Sequence, residues 1–185
     1  EIIEGKAEEM PFEDKYFDLI VSNNGINNVE NDEKALLEIA RVSKVGAQMV
    51  VTVNLPDTMI ELYEVYENIL KKNNKNKEIK KLKEHIFSKR KPLSYTKELI
   101  KKVGFKIESV FEDSFNLRFS NGSTMLNHFL IKLAFIDSWK AILEEQDVTP
   151  IFNTIEKELN KIVQKRGELI LTIPWVCIDC RRFEL

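Results

Sequence analysis

Two short apolar runs flank an amphipathic helix pattern near the start of the chain, and this order of elements constrains the fold more than any other feature. Phe17–Val21 and Gln48–Val53 have the length and apolar content of buried strands. Between them, residues 31–44 predict a helix with Asn31 or Asp32 as its cap and Gly46 just after its last turn. One face of that helix repeats at the spacing of buried positions: Leu36, Ile39, Ala40 and Ser43. Strand, helix and strand in this order favour a parallel sheet with helical cover.

The rest of the chain predicts more helices and two long strands. Thr58-x-x-Glu61 predicts a capping box at the start of one helix, and Asn121–Gly122 is a turn signal after an alternating strand. The final strand contains Pro174, which lacks a backbone donor and predicts a bulge or a break in the sheet. Further helices are predicted over residues 95–103, 123–143 and 149–165, and strands over residues 1–4, 105–119 and 168–182.

Charge and composition argue against two broad classes of partner. The 185 residues carry a net charge of -2 with a pI of about 5.9, so no global field attracts nucleic acid or an anionic membrane. No apolar run has the length of a membrane span, and no signal peptide is visible. Cys177 and Cys180 are three apart in a predicted strand, which favours reduced, buried thiols over a redox pair or a metal site. We therefore expect a cytoplasmic protein with a single domain over residues 1–185 and no metal.

Three motifs resemble the middle of a class I S-adenosylmethionine-dependent methyltransferase. They are Gly5-Lys-Ala-Glu-Glu-Met-Pro-Phe12, Phe17-Asp-Leu-Ile-Val-Ser22 and Arg41-Val-Ser-Lys-Val-Gly-Ala47, in the order and spacing of that family. The resemblance implies an α/β fold: a partial Rossmann-like sheet, mostly parallel with an antiparallel final strand, and helices on both faces. It also implies S-adenosylmethionine as cofactor. The Gly-rich loop that opens such a domain is not in this sequence, so we expect the C-terminal part of the domain, inactive alone.

The resemblance also implies which residues meet the cofactor. The segment after the third strand meets the adenine, where Ala7 offers its backbone N–H. Lys6 stands where the family often has Asp, and Lys cannot accept a hydrogen bond. Either Glu8 or a water would take that role, or cofactor binding is weakened. The loop after the fourth strand lies at the cleft, where open α/β sheets bind ligands. The cofactor-binding candidates are Lys6, Ala7, Glu8, Ser22, Asn23, Asn24 and Gly25.

A helical insertion over residues 123–166 is the candidate substrate cover, because its apolar surface is too broad for one sheet contact. His128 within it is a candidate general base, although a hydrogen-bonded core histidine is the alternative. Arg118 could meet an anionic group or be ion-paired. The substrate-binding candidates are Asn28, Arg118, Met125, Phe129 and Trp139.

Three functions stay open at this point. The first is methyl transfer to a small, apolar acceptor. The second is a non-catalytic binding or regulatory protein, which Lys6 and the absent Gly-rich loop favour. The third is an RNA methyltransferase that uses the basic stretch Lys71–Lys91, although that stretch lacks interleaved aromatic residues and a solvated helix face is the default.

Two physical consequences follow from an incomplete sheet. Methyl transfer needs two partners held in line, so half a cleft predicts weak or no binding of S-adenosylmethionine by this chain alone. Phe17–Val21 becomes an apolar sheet edge, which predicts a homodimer or pairing with the missing N-terminal half through that edge.

Overall fold

A computed structural model describes residues 2–183 and divides them into two compact units. Unit 1 comprises residues up to Pro56, Lys89–Ser114 and the residues from Pro174 onward, and unit 2 comprises Asp57–Ser88 and Phe115–Ile173. The strands are β1 (Phe17–Asn23), β2 (Ser43–Asn54), β3 (Phe105–Phe119) and β4 (Leu169–Arg182). The helices are α1 (Asp32–Val42), α2 (Ile60–Lys72), α3 (Asn76–Lys89), α4 (Leu93–Lys102), α5 (Gly122–Asn127), α6 (Phe129–Ala134), α7 (Ile136–Lys140) and α8 (Glu145–Arg166), with a 3₁₀ turn at Ile26–Asn28.

The four strands form one mixed sheet in the order β1-β2-β4-β3. β1 and β2 are parallel, with Asn23 opposite Thr52, and β4 is antiparallel to β2. This confirms the predicted α/β class with an antiparallel final strand. β3 and β4 each run through both units, so the division into units does not by itself define two domains. The prediction of one domain with an insertion at residues 123–166 stays a prediction.

In unit 1, α1 and α4 pack on one face of the sheet. That face carries the buried side chains of β2 and β4, including Met49, Val51 and Ile178. The other face carries the alternate residues of both strands, such as Thr52 and Cys177, which are half-buried. Cys177 and Cys180 are both free thiols, and burial raises the pKa of Cys180 to about 12, which keeps it protonated.

Unit 2 is a helical core closed by the ends of β3 and β4. Tyr66 and Trp139 are fully buried there, and the Tyr66 hydroxyl donates to the Trp139 carbonyl at 3.0 Å. The Trp139 indole N–H donates to the Tyr63 hydroxyl at 3.0 Å, so the polar atoms of these aromatic residues are paired inside the core. The apolar residues that surround them come from α2, α3, α5 to α8 and residues 169–173.

Several local predictions were wrong, and each has a physical reason. α1 ends at Val42 and β2 begins at Ser43, so Gly46 lies inside the strand with a φ of 83° rather than after the helix. Thr58 and Glu61 form no capping box, because both Glu61 carboxylate oxygens accept from Thr172 instead.

Two further differences concern the ends of elements. Asn121 is not part of a hairpin turn; its side chain accepts from the Thr124 N–H at 2.7 Å and caps α5. Ile2–Glu4 forms no strand, because no described strand lies beside it to supply hydrogen bonds. Glu1 lies outside the described residues.

β4 passes through Pro174 without a break, but its buried side chains change phase there. Leu169, Leu171 and Ile173 are buried before the proline, and Val176, Ile178 and Cys180 are buried after it. The pairing of β4 with β2 begins at Trp175, one residue after the proline. The N–H that Pro174 lacks is therefore not required for hydrogen bonds to β2. Within residues 2–183, no helix is long and apolar enough to cross a bilayer.

Candidate functional site

The carboxyl ends of β1 and β2 meet at a polar cluster in unit 1. The Thr52 hydroxyl donates to Asn23 Oδ1 at 2.6 Å and accepts from the Asn24 N–H at 3.1 Å. The Thr52 carbonyl accepts from the same N–H at 3.0 Å. These bonds fix the chain where β1 turns out of the sheet, which is the edge where parallel sheets bind ligands.

Asn24 has two properties that a plain turn does not require. Its φ of 52° lies in the left-handed region, which Asn tolerates better than most residues. Its Oδ1 is buried and accepts no hydrogen bond from any described residue. The turn around it is tight, because a Cβ on Gly25 would lie 2.8 Å from Ser22 Oγ. Asn28 supports the turn by donating to the Asn24 carbonyl at 2.9 Å, so Ser22, Asn23, Asn24, Gly25 and Asn28 are brought together.

The predicted adenine segment forms a small turn before β1. Glu9 donates its N–H to the Lys6 carbonyl at 3.1 Å, and Lys6 itself is exposed. Glu8 Oε1 accepts from the N–H groups of Glu30 and Asn31 at 2.9 and 3.2 Å, and the Asn31 bond is the main reason its pKa lies below the ordinary value. Glu8 therefore anchors the loop that leads into α1, a role that the sequence did not suggest.

Arg41 and Glu38 are the main residues of this region that sequence reasoning missed. Arg41 Nη1 donates to the Phe12 carbonyl and to Asp14 Oδ1, each at 2.8 Å, and Nη2 donates to the Met10 carbonyl at 3.0 Å. Glu38 accepts from Arg41 Nε and Nη2 at 2.8 Å and from the Met10 N–H at 2.9 Å. The i, i+3 spacing of Glu38 and Arg41 indicates an ion pair, but nothing in the sequence shows that the pair holds the loop before β1.

The Arg41–Glu38 pair has a clear electrostatic signature. The hydrogen bonds from Arg41 are the main cause of a Glu38 pKa of about 2, and the hydrogen bond from the Met10 N–H contributes to it against the opposing effect of burial. The hydrogen bond to Glu38 and, to a smaller extent, the one to Asp14 raise the pKa of Arg41. The loop that carries Ala7 and Glu8 is thus followed directly by a segment fixed to α1.

The remaining predicted residues lie in unit 2, and two of them are core residues. Met125 and Trp139 have exposed fractions of 0% and 1%, so neither side chain presents a surface to a substrate. Their apolar character, which suggested a substrate cover, is explained by packing within unit 2.

His128, Phe129 and Arg118 are exposed in unit 2. His128 is not embedded in an apolar core as expected; its carbonyl accepts from the Lys132 N–H in α6, and its ring lies 5.5 Å from the Phe119 ring. Phe129 is 76% exposed on α6. Arg118 pairs with Glu168 at 2.5 Å, which matches the ion-paired alternative.

Two cavities in unit 1 lie away from the polar cluster. One of about 330 Å³ lies at the amino end of β2 and is lined by residues that include Arg41, Ser43 and Arg182. The other, of about 140 Å³, follows β1 and is lined by Met10, Phe17, Leu19, Ile20 and Val42. Neither contains a residue predicted for the cofactor or the substrate.

Comparisons with known sequences find methyltransferases. Residues 1–51 match the family described as "Methyltransferase domain". The chain is 36% identical over 74 residues to the ubiquinone/menaquinone biosynthesis C-methyltransferase UbiE of Psychromonas ingrahamii, which covers 38% of this chain and 30% of that protein. It is 38% identical over 50 residues to the demethylmenaquinone methyltransferase of Thermobifida fusca, which covers 27% of this chain and 21% of that protein. The chain thus spans less than a third of the length of these curated relatives.

Solved structures show the same fold at low identity. A Bacillus halodurans protein described as a methyltransferase superposes with a TM-score of 0.55 and 18% identity, covering 100% of this chain and 78% of that one. The YcgJ protein of Bacillus subtilis superposes with a TM-score of 0.52 and 14% identity, covering 98% of this chain and 70% of that one. At this identity the likeness shows a Rossmann-like methyltransferase fold and nothing about substrate.

Proposed function

Since residues 1–51 of this chain belong to a class I S-adenosylmethionine-dependent methyltransferase domain, we propose that the chain takes part in methyl transfer to a small, apolar acceptor. The observation that carries the proposal is the polar cluster at the ends of β1 and β2, because open α/β sheets bind ligands beyond the carboxyl ends of their strands. The chain covers only part of its relatives, so activity, acceptor and partners are all proposed here.

The residues of unit 1 fit the cofactor in two respects. Asn24 offers a buried acceptor oxygen that lacks a donor, and the Ala7 N–H donates to none of residues 2–183. We propose that Ala7 binds the adenine and that Ser22, Asn23, Asn24 and Gly25 border the rest of the cofactor. When bound, S-adenosylmethionine supplies a methyl group on a sulfonium centre. The role of the protein residues is to hold that centre in line with the acceptor and to exclude water.

The proposed acceptor is apolar for two reasons. The sequence relatives are named for ubiquinone and menaquinone biosynthesis. In unit 2, α6 exposes Phe129, Leu130 and Leu133, which is an unusual concentration of apolar surface for six residues. His128, at the start of α6, stays a candidate base because its imidazole side chain is exposed.

Saturation-transfer NMR with S-adenosylmethionine tests the proposal, because it detects ligands that bind too weakly for calorimetry. We expect the adenine protons to receive the strongest saturation from the wild-type chain. Ala7→Pro removes the proposed N–H donor and should reduce transfer to the adenine. Ala7→Ser is the matched control, since it keeps that N–H and adds little volume.

Two results would contradict the proposal. One is the absence of saturation transfer to any cofactor proton, and the other is equal transfer in both Ala7 variants. Micromolar binding in a calorimeter by this chain alone would instead contradict the expectation of an incomplete cleft.

We also propose that β1 is an edge that pairs with another strand, from a second copy or from an N-terminal methyltransferase half. β1 is the end strand of the sheet, and Leu19 and Val21 on it are mostly exposed. An apolar edge with free backbone groups favours pairing. We propose the cytoplasm as the compartment, because Cys177 and Cys180 are unpaired thiols.

A further inference from the structure

The side-chain carbonyl of Asn54 is a buried acceptor without a donor. Asn54 is the last residue of β2, and its Oδ1 accepts no hydrogen bond from any of residues 2–183. A buried polar atom left unpaired lowers the stability of the fold. Its presence therefore calls for an explanation outside the contacts within the chain, such as a bound ligand. Asn54 is not among the residues that the methyltransferase motifs indicated.

Asn54 shares its face of the sheet with two aromatic side chains. It lies directly opposite Trp175 in the antiparallel ladder, which places both side chains on the same face. The Phe111 ring lies 5.7 Å from the Trp175 ring, at an angle of 55°. Trp175 is half-buried and Phe111 is exposed, so an unpaired oxygen lies beside an accessible aromatic surface.

The position of Asn54 links this surface to the proposed site. β1 and β2 are parallel with Asn23 opposite Thr52, so Asn24 and Asn54 both lie at the carboxyl edge of the sheet. Asn24 carries the second unpaired acceptor of that edge. Asn24 is assigned to the cofactor, which leaves the Asn54 acceptor for a second ligand that brings an N–H or O–H group.

We propose that Asn54 selects the methyl acceptor by accepting a hydrogen bond from its hydroxyl or amino group, while Trp175 and Phe111 contact its apolar ring. The inference rests on the proposed function and names the chemistry of its acceptor: an aromatic body with one donor group. A site with a buried acceptor oxygen disfavours analogues without the donor, because that oxygen then stays unpaired.

The first test needs no ligand. Asn54→Leu replaces the unpaired amide with an apolar side chain of similar volume. We expect its Tm to rise by about 3–6 °C relative to the wild type. Asn116→Leu is the matched control, since Asn116 is an exposed residue of β3, and its Tm should change by no more than about 1 °C.

The second test uses phenol and toluene, which differ by one O–H donor and have nearly the same size. Binding is followed by the indole N–H NMR signal of Trp175, with the buried Trp139 signal as internal reference. The wild-type chain should bind phenol about tenfold more tightly than toluene. Asn54→Leu should bind the two equally, and Asn116→Leu should keep the wild-type preference.

A Tm of Asn54→Leu at or below that of the wild type overturns the inference. So does a wild-type chain that does not prefer phenol, or a preference that survives in Asn54→Leu. Both tests are done without cofactor, so a failure of the proposed methyl transfer shows up separately in the S-adenosylmethionine experiment.

Discussion

At the scale of single residues, Arg41 does most to hold the site region in place. It donates five hydrogen bonds, two to Glu38 and three to Met10, Phe12 and Asp14. A planar guanidinium supplies these donors in fixed directions, which a lysine cannot reproduce. The loop before β1 therefore depends on one side chain of α1 for its position.

Glu38→Gln should reduce stability in a pH-dependent way. The pKa of Glu38 is about 2 in the folded chain, below its ordinary value of 4.5, so its contribution is present above about pH 4.5 and is lost as the pH falls toward 2. We expect a loss of about 1 kcal/mol near neutral pH, allowing for solvent screening, and a smaller loss near pH 3. Urea unfolding at the two pH values measures the difference.

Glu9→Gln is the control for this variant, because Glu9 is exposed and its side chain makes no ion pair with the described residues. It should unfold like the wild type at both pH values. If Glu38→Gln lost the same amount at both pH values, the charge on Glu38 would not be the cause.

At the scale of elements, two glycines are needed for different reasons: one for its backbone conformation and the other for close packing between helices. Gly46 in β2 has a φ of 83° and open space where a Cβ would lie. Gly122 in α5 packs on α8, where a Cβ would lie 2.7 Å from the Leu159 Cβ. We expect Gly46→Ala to cost about 1 kcal/mol from backbone strain and Gly122→Ala about 2–3 kcal/mol from overpacking.

Chemical denaturation of the two glycine variants, measured side by side, tests this order. Equal costs would mean that α5 shifts to accommodate the methyl group. A larger cost for Gly46→Ala would mean that the contact between α5 and α8 is looser than described.

The edge of β1 gives a prediction about self-association. Leu19 and Val21 are 54% and 65% exposed on the end strand of the sheet. Lysine at either position should weaken pairing through this edge, because charged side chains disfavour added strands. Sedimentation velocity should then show less dimer or aggregate than in the wild type.

Leu37→Lys is the control for the edge variants, since Leu37 is 51% exposed on α1 rather than on a strand. It should leave self-association unchanged. A wild-type chain that sediments as a single monomer would refute pairing through β1.

The elements that the sequence predicted well are those with one clear buried face. α1 and α4 follow a helical periodicity, and the structure places their ends within two residues of the predicted bounds. β2 was predicted from its apolar run, and it begins at Ser43, five residues before its predicted start. Residues 123–143 were predicted as one helical segment, but the helix breaks at His128 and Phe135. This segment is apolar nearly all round, so its pattern could not show which side is buried or where it bends.

The site was predictable only where a motif marked it. Asn23, Asn24 and Gly25 were found from the end of a predicted strand, and the structure brings them together. Glu38 and Arg41 were missed because their roles depend on partners far away in sequence, such as the Met10 and Phe12 carbonyls. Local patterns carry no information about such contacts.

At the scale of the whole molecule, the basic stretch has six of its lysines paired with four carboxylates. Its lysines pair with carboxylates at 2.5–3.8 Å: Lys71 and Lys83 with Glu67, Lys75 with Asp147, Lys77 and Lys81 with Glu144, and Lys80 with Glu84. Pairing of this kind reduces the positive field that the stretch offers to a phosphate backbone.

An RNA gel-shift assay at low and at physiological salt tests this balance. We expect no shift for the wild-type chain under either condition. Replacement of Glu67 and Glu144 by Gln should release four lysines and produce weak, salt-sensitive binding. A strong shift by the wild-type chain would favour the RNA methyltransferase alternative instead.

The change of phase in β4 has a consequence for how this chain tolerates insertions and deletions. Odd-numbered side chains are buried before Pro174 and even-numbered ones after it. Deleting a single residue on either side would turn the buried side chains of that half outward and bring alternate ones, such as Thr172 or Asp179, inward. We therefore expect length changes in this strand to be tolerated only in the immediate vicinity of the proline, where the two patterns already meet.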